Sequence, residues 1–223
     1  MPPFSWRHTL PINRPCRVPA SSFADIKDEH ARSLALFQEA GKVITSPRCM
    51  NCHPAGDTPT QTDTMRTRQP RVVRGADGHG AAGIRCQNCH HDENSDATGV
   101  PGNPEWHLAP ASMGCQGRSL GEICALIKDP SRNGNRDLAA IVRHVSEDAL
   151  VGWAWAPGGD RTPAPGTQAE FGALIKAWVE SGADCPSYSL SGLAASEKKR
   201  GHHPGGLFFA SVVIHHDFDN DFG

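Results

Sequence analysis

Cys49-Met50-Asn51-Cys52-His53 and Cys86-Gln87-Asn88-Cys89-His90 repeat one pattern: two thiols with two residues between them, followed at once by an imidazole. This is the c-type haem attachment signature. The spacing lets both sulfurs reach the two vinyl groups of one porphyrin, and the adjacent imidazole turns beneath the ring to bind the iron. A CxxC pair alone is ambiguous. Histidine makes up only 12 of the 223 residues, so its chance appearance after both pairs has odds of roughly a few in a thousand. The chemistry implied is single-electron transfer through two covalently attached haem c groups, held by Cys49, Cys52 and His53 and by Cys86, Cys89 and His90.

His53 and His90 are then the proximal iron ligands, and a second axial ligand must come from elsewhere. Met113, in the loop WHLAPASM, leads the candidates because an isolated thioether in a polar, Pro-containing loop has little apolar surface to fill. His79 in GADGHGAAG and His107 follow it. Met65 and His144 rank behind, His144 because a histidine on an apolar helix face is more often a buried, hydrogen-bonded side chain. The choice matters because sulfur raises a haem potential and imidazole lowers it. Four cysteines remain, Cys16, Cys115, Cys124 and Cys185, which permit three pairings in an oxidising compartment. Cys124 with Cys185 is the expected pair, since each belongs to or follows a C-terminal helix. The alternative is that all four are free, buried thiols.

Elements that would position these groups can be read from periodicity and capping. Phe23, Ile26, Leu34, Leu36 and Phe37 recur with helical period over residues 23–43, with Gly41 as a stop, and this helix leads into the first motif. Residues 54–85 and 91–118 carry Gly, Pro, Thr and Asn without period and read as loops wrapped over the cofactors. Ser119 and Glu122 form a capping box for a helix through Lys128, where Pro130 prevents continuation. Asn135 can cap a helix from Asp137 to Glu147 with Leu138, Ile141, Val142 and Val145 on one face. Thr167 and Glu170 form a second capping box, for a helix over Phe171, Leu174, Ile175 and Trp178 that ends at Gly182. Trp153 and Trp155 read as a strand-like edge against a haem.

The resulting fold class is mostly α and loop-rich, cytochrome c-like with two covalent haems. Residues 1–21 read as an irregular arm, 22–186 as the dihaem region and 187–223 as an atypical tail, whose apolar run from Leu207 to Ile214 is β-prone. Apolar residues are only 38% of the chain, and Gly (23) and Pro (18) are abundant, so two large macrocycles would supply core that the side chains alone do not. A net charge of −2 without like-charge runs argues against nucleic acid or an anionic membrane as partner. No stretch reaches membrane-spanning length. Haem is attached to CxxCH outside the bacterial cytoplasm, so a periplasmic location is expected. The first twenty residues hold Arg7, Arg14 and Arg17 but show no signal-peptide apolar region, and a cytosolic chain that never carries haem is the competing reading.

Three functions fit the motifs. The first is a dihaem electron-transfer subunit. The second is a dihaem oxidoreductase acting on a small substrate, for which a cysteine ligand such as Cys115 would be a hint. The third is a zinc module built on the four motif thiols, disfavoured by the long spacing and the two following histidines. The segments RCMNCHPAGD, RGADGHGAAGIRCQNCH, WHLAPASMGCQG, EICALIKDPSRNGNR, LVGWAWAPG and APGTQAEFGALIKAWVESGADCP resemble bacterial proteins labelled isoquinoline 1-oxidoreductase subunits, from about Phe23 to Pro186. That group is similar to small dihaem proteins accompanying molybdenum hydroxylases. The resemblance implies a redox partner of that class as electron donor and a respiratory acceptor. The chain lacks the C-x4-C-x2-C run of such a hydroxylase's iron–sulfur subunit and any recognisable molybdenum site, so the resemblance implies the electron outlet, not the hydroxylase.

Overall fold

Asp28 starts the first long helix. Its carboxylate accepts from the Ala31 N–H at 2.7 Å, which satisfies one of the donors a helix N-terminus leaves unpaired. In the computed structural model, which describes residues 18–187, this helix is α1, Glu29–Ile44. The helix expected to begin at Phe23 therefore begins later; Phe23 closes a separate 3-10 turn, Ala20–Phe23. Gly41 is not its stop. It lies inside α1, where an added Cβ would stand 2.7 Å from Leu120 Cδ2, so its lack of a side chain lets a neighbouring helix approach. The break comes at Pro47, which has no N–H to continue α1 and instead opens the single turn α2, Pro47–Met50.

Both expected capping boxes are present, at Ser119 and Glu122 for α3 (Leu120–Lys128) and at Thr167 and Glu170 for α6 (Gln168–Glu180). Between them lie α4 (Leu138–Glu147) and α5 (Ala149–Gly152). Asp137, not Asn135, caps α4, through the Ala140 N–H at 2.6 Å; Asn135 instead takes a left-handed φ of 60° in the turn before it. The Trp153–Trp155 stretch is a 3-10 turn, not a strand-like edge. It follows directly on α5, whose first N–H groups are satisfied by Asp148, so the backbone is already helical when it reaches the tryptophans.

Helix dominates the regular structure, and the long loops contain only two antiparallel pairs of two-residue strands. These are β1 (Thr60–Gln61) with β2 (Arg66–Thr67), and β3 (Gly80–Ala81) with β4 (Ile84–Arg85). No helix among the described residues is long and apolar enough to cross a membrane. The Val18 N–H donates to Glu39 Oε1 at 3.1 Å. Cys16 and the run Leu207–Ile214 lie outside the described residues.

The core is where α6 packs on both α1 and α4. Trp178 is fully buried, its ring 4.8 Å from that of Phe37, and its indole N–H donates to the Asp184 carbonyl at 2.9 Å, which settles the one polar atom such a side chain brings inside. Cys124 and Cys185 are joined by a disulfide across 61 residues of sequence, pinning the segment that follows α6 onto α3. Replacing both by alanine is expected to cost roughly 2–5 kcal/mol, since the loop closed in the unfolded chain is long. Denaturant unfolding monitored by far-UV circular dichroism measures it.

Candidate functional site

The first motif grows directly out of α2. The helical turn brings the His53 N–H to the Cys49 carbonyl at 3.2 Å, which folds the five residues back on themselves. The imidazole is then oriented from behind, its Nδ1–H donating to the Met113 carbonyl at 2.8 Å. A carbonyl can only accept, so Nδ1 carries the proton and Nε2 keeps its lone pair, the tautomer that iron requires. Burial pulls the His53 pKa down, against the carbonyl hydrogen bond that raises it, and the ring is held neutral for ligation.

The second motif reaches the same arrangement from unrelated surroundings. Cys86–Asn88 form a 3-10 turn, the His90 N–H bonds the Cys86 carbonyl at 2.9 Å, and the Cys86 N–H bonds the His79 carbonyl at 2.8 Å. His90 Nδ1–H donates to the Pro101 carbonyl at 2.6 Å, again leaving Nε2 as the lone-pair nitrogen, and burial again lowers its pKa. Its ring stacks on Trp106, centroids 4.4 Å apart and planes within 10°. Each supporting carbonyl is followed by a glycine pressed against backbone just beyond its own motif. A Cβ on Gly114 would lie 2.7 Å from the Pro54 carbonyl, and one on Gly102 would overlap that of Glu93. This paired Met-Gly and Pro-Gly support is a signal the motif search alone did not reach.

Each motif opens on its own cavity. Cys49, Cys52 and His53 face one lined by Ile44, Ile123, Ile141 and Phe171; Cys86, Cys89 and His90 face a second lined by Val72, Val73, Ile84 and Val100 together with Arg66, Arg68, Arg85 and Arg161. The two share a wall made of Arg48, Cys52, His107 and Trp153. Trp153 also meets Trp106 edge-on at 4.9 Å, so aromatic groups run from this wall to His90. The residues fit a haem on three counts: the apolar linings suit a macrocycle, the paired thiols and lone-pair imidazoles suit its attachment, and one polar atom calls for an acceptor. That atom is Arg48 Nε, buried without a hydrogen-bond partner. Asp63 satisfies the other end of the guanidinium at 2.6 Å, and a propionate carboxylate is the kind of group that would complete it.

The remaining expected ligands are dispersed. Met113 lines the first cavity, and its own carbonyl is bonded to the back nitrogen of His53. Cys115 lies behind the ring as well, Sγ 3.8 Å from Nδ1, and burial pushes its thiol up to about 11, which disfavours a thiolate ligand. His79 and His107 lie with ring centroids 5.0 Å apart and planes tilted by 36°; only His107 lines the cavities. Met65 is 39% exposed. His144, expected to be merely buried, faces the first cavity. Among the described residues no three His, Cys, Asp or Glu side chains are grouped to hold a bare metal ion. No family profile, curated protein or solved structure matches the chain.

Proposed function

We propose that this chain is a dihaem c-type cytochrome that relays single electrons from a partner dehydrogenase to a respiratory acceptor. One observation carries the reading: both CxxCH motifs present a lone-pair imidazole to an apolar cavity, and the two cavities share a wall. Cys49 and Cys52 would anchor one haem and Cys86 and Cys89 the other, with His53 and His90 as proximal ligands. A haem bound at each position supplies an iron that takes up and releases one electron. The protein's part is to fix the imidazoles through the Met113 and Pro101 carbonyls, to keep water from the apolar faces, and to hold the positive charge of Arg48 beside both sites. Tying Nδ1 to a carbonyl makes the imidazole a stronger donor.

The partner is the molybdenum-hydroxylase class that the sequence resemblance implies, and the location is the periplasm. The Cys124–Cys185 disulfide supports an oxidising compartment. The near-neutral net charge offers little long-range steering, so docking should rest on a modest apolar patch and depend weakly on salt. Expression with the haem-attachment machinery should yield two haems per chain by pyridine haemochrome. Mixing that protein with such a hydroxylase and an N-heterocycle or aldehyde should reduce both haems. A chain that leaves the machinery without covalent haem sinks the reading, and one that turns over a small substrate unaided replaces the relay with an enzyme.

A further inference from the structure

We infer that His144 is the second axial ligand at the first site, with Asp148 as its positioning residue; the inference rests on the dihaem reading. His144 sits in the last turn of α4, and its neighbours Ile141 and Val145 line the same cavity as Cys49, Cys52 and His53. Its Nδ1–H donates to Asp148 Oδ2 at 3.2 Å, which leaves Nε2 with the lone pair. This reproduces what the Met113 carbonyl does for His53. Asp148 is itself fixed, because its other oxygen accepts from the Leu150 and Val151 N–H groups at 2.8 and 3.1 Å as the cap of α5. The chain of restraint therefore runs from a helix N-terminus through a carboxylate to the imidazole, the supporting arrangement typical of a metal-bound histidine.

Position separates His144 from its competitors. Met113 and Cys115 are both bonded on the Nδ1 side of His53, whereas His144 reaches the same cavity from a helix outside that loop. His107 also lines the cavity, but it belongs to the wall shared with the second site. An aliphatic side chain at 144 would fill the helix face equally well; a histidine oriented by a capped carboxylate has a use there.

The test compares the haem-loaded protein with its His144→Ala, His107→Ala and His144→Met variants. His144→Ala should keep two covalent haems by pyridine haemochrome, turn one ferric haem from low to high spin by electron paramagnetic resonance, and bind one carbon monoxide per chain when reduced. Added imidazole should restore the low-spin signal. Should the alanine variant fail to fold, His144→Met keeps a long ligating side chain, and a new sulfur-to-iron charge-transfer band with a raised potential at one haem is the expected result. Two low-spin haems in His144→Ala, or a methionine variant spectrally identical to the parent, overturns the assignment. So does the appearance of the open site in His107→Ala instead. An unmodified chain lacking covalent haem refutes the dihaem reading itself, a separate outcome read from the haemochrome before any variant is made.

Discussion

On the proposed dihaem reading, replacing Cys49 and Cys52 together by alanine is expected to melt much of the helical core, whereas the matching change at Cys86 and Cys89 should cost a haem and leave the helices standing. Both variants should fall from two haems to one by pyridine haemochrome. The difference lies in what surrounds each cavity. The first is walled by Ile44 at the end of α1, Ile123 of α3, Ile141 of α4, and Phe171 and Ile175 of α6, and most of these belong to the same buried cluster as Trp178 and Phe37. The second is walled by loop residues between two-residue strands. Without a haem the side chains around the first cavity would lose the group they pack on, and burying each aliphatic or aromatic side chain is worth about 1.5–3 kcal/mol, so a few of them are a large share of a total stability of roughly 5–15 kcal/mol. Ellipticity at 222 nm and the unfolding midpoint separate the two variants, and an equal loss in both would mean that the first haem is not part of the core.

The same asymmetry explains what the sequence disclosed. Capping is a short-range matter of a side-chain oxygen and an N–H two or three residues on, so Ser119–Glu122 and Thr167–Glu170 were legible and hold in the structure. The attachment motifs are equally local. The Cys124–Cys185 pair could be expected from helix membership. What could not be read were groups that meet only after folding. The Met113 and Pro101 carbonyls that orient the imidazoles lie 60 and 11 residues from their partners, and a backbone carbonyl has no sequence signature. Asp137 and Asn135 both suit a cap, and only the φ of the intervening turn decides between them. Met113 stands in a loop that reads as polar, yet folding buries it to 8% exposure. The Asp148 contact that gives His144 its orientation spans one helical turn, so the pair was visible; its facing a cavity was not.

Arg48 gives the second large effect. Its side chain is 1% exposed, it lines both cavities, and its charge persists despite the burial that lowers its pKa, because a guanidinium does not deprotonate in a protein. Adding an electron at either iron is favoured by a cation nearby, so removing that cation must lower both potentials. A unit charge near an iron, at an effective dielectric of about 20, is worth on the order of 1–2 kcal/mol, equivalent to roughly 40–90 mV for one electron. Asp63, 2.6 Å from the guanidinium, keeps its negative charge in Arg48→Leu and so does not reduce the change, and a fall of roughly 40–90 mV is the expected result. Arg48→Lys should keep most of the potential, since it retains the charge while losing the fork that binds Asp63. An optical redox titration of the two variants beside the parent resolves both haems. A shift confined to one of them would place Arg48 beside a single site and remove the shared wall from the relay; no shift in either would mean that neither haem lies against this residue.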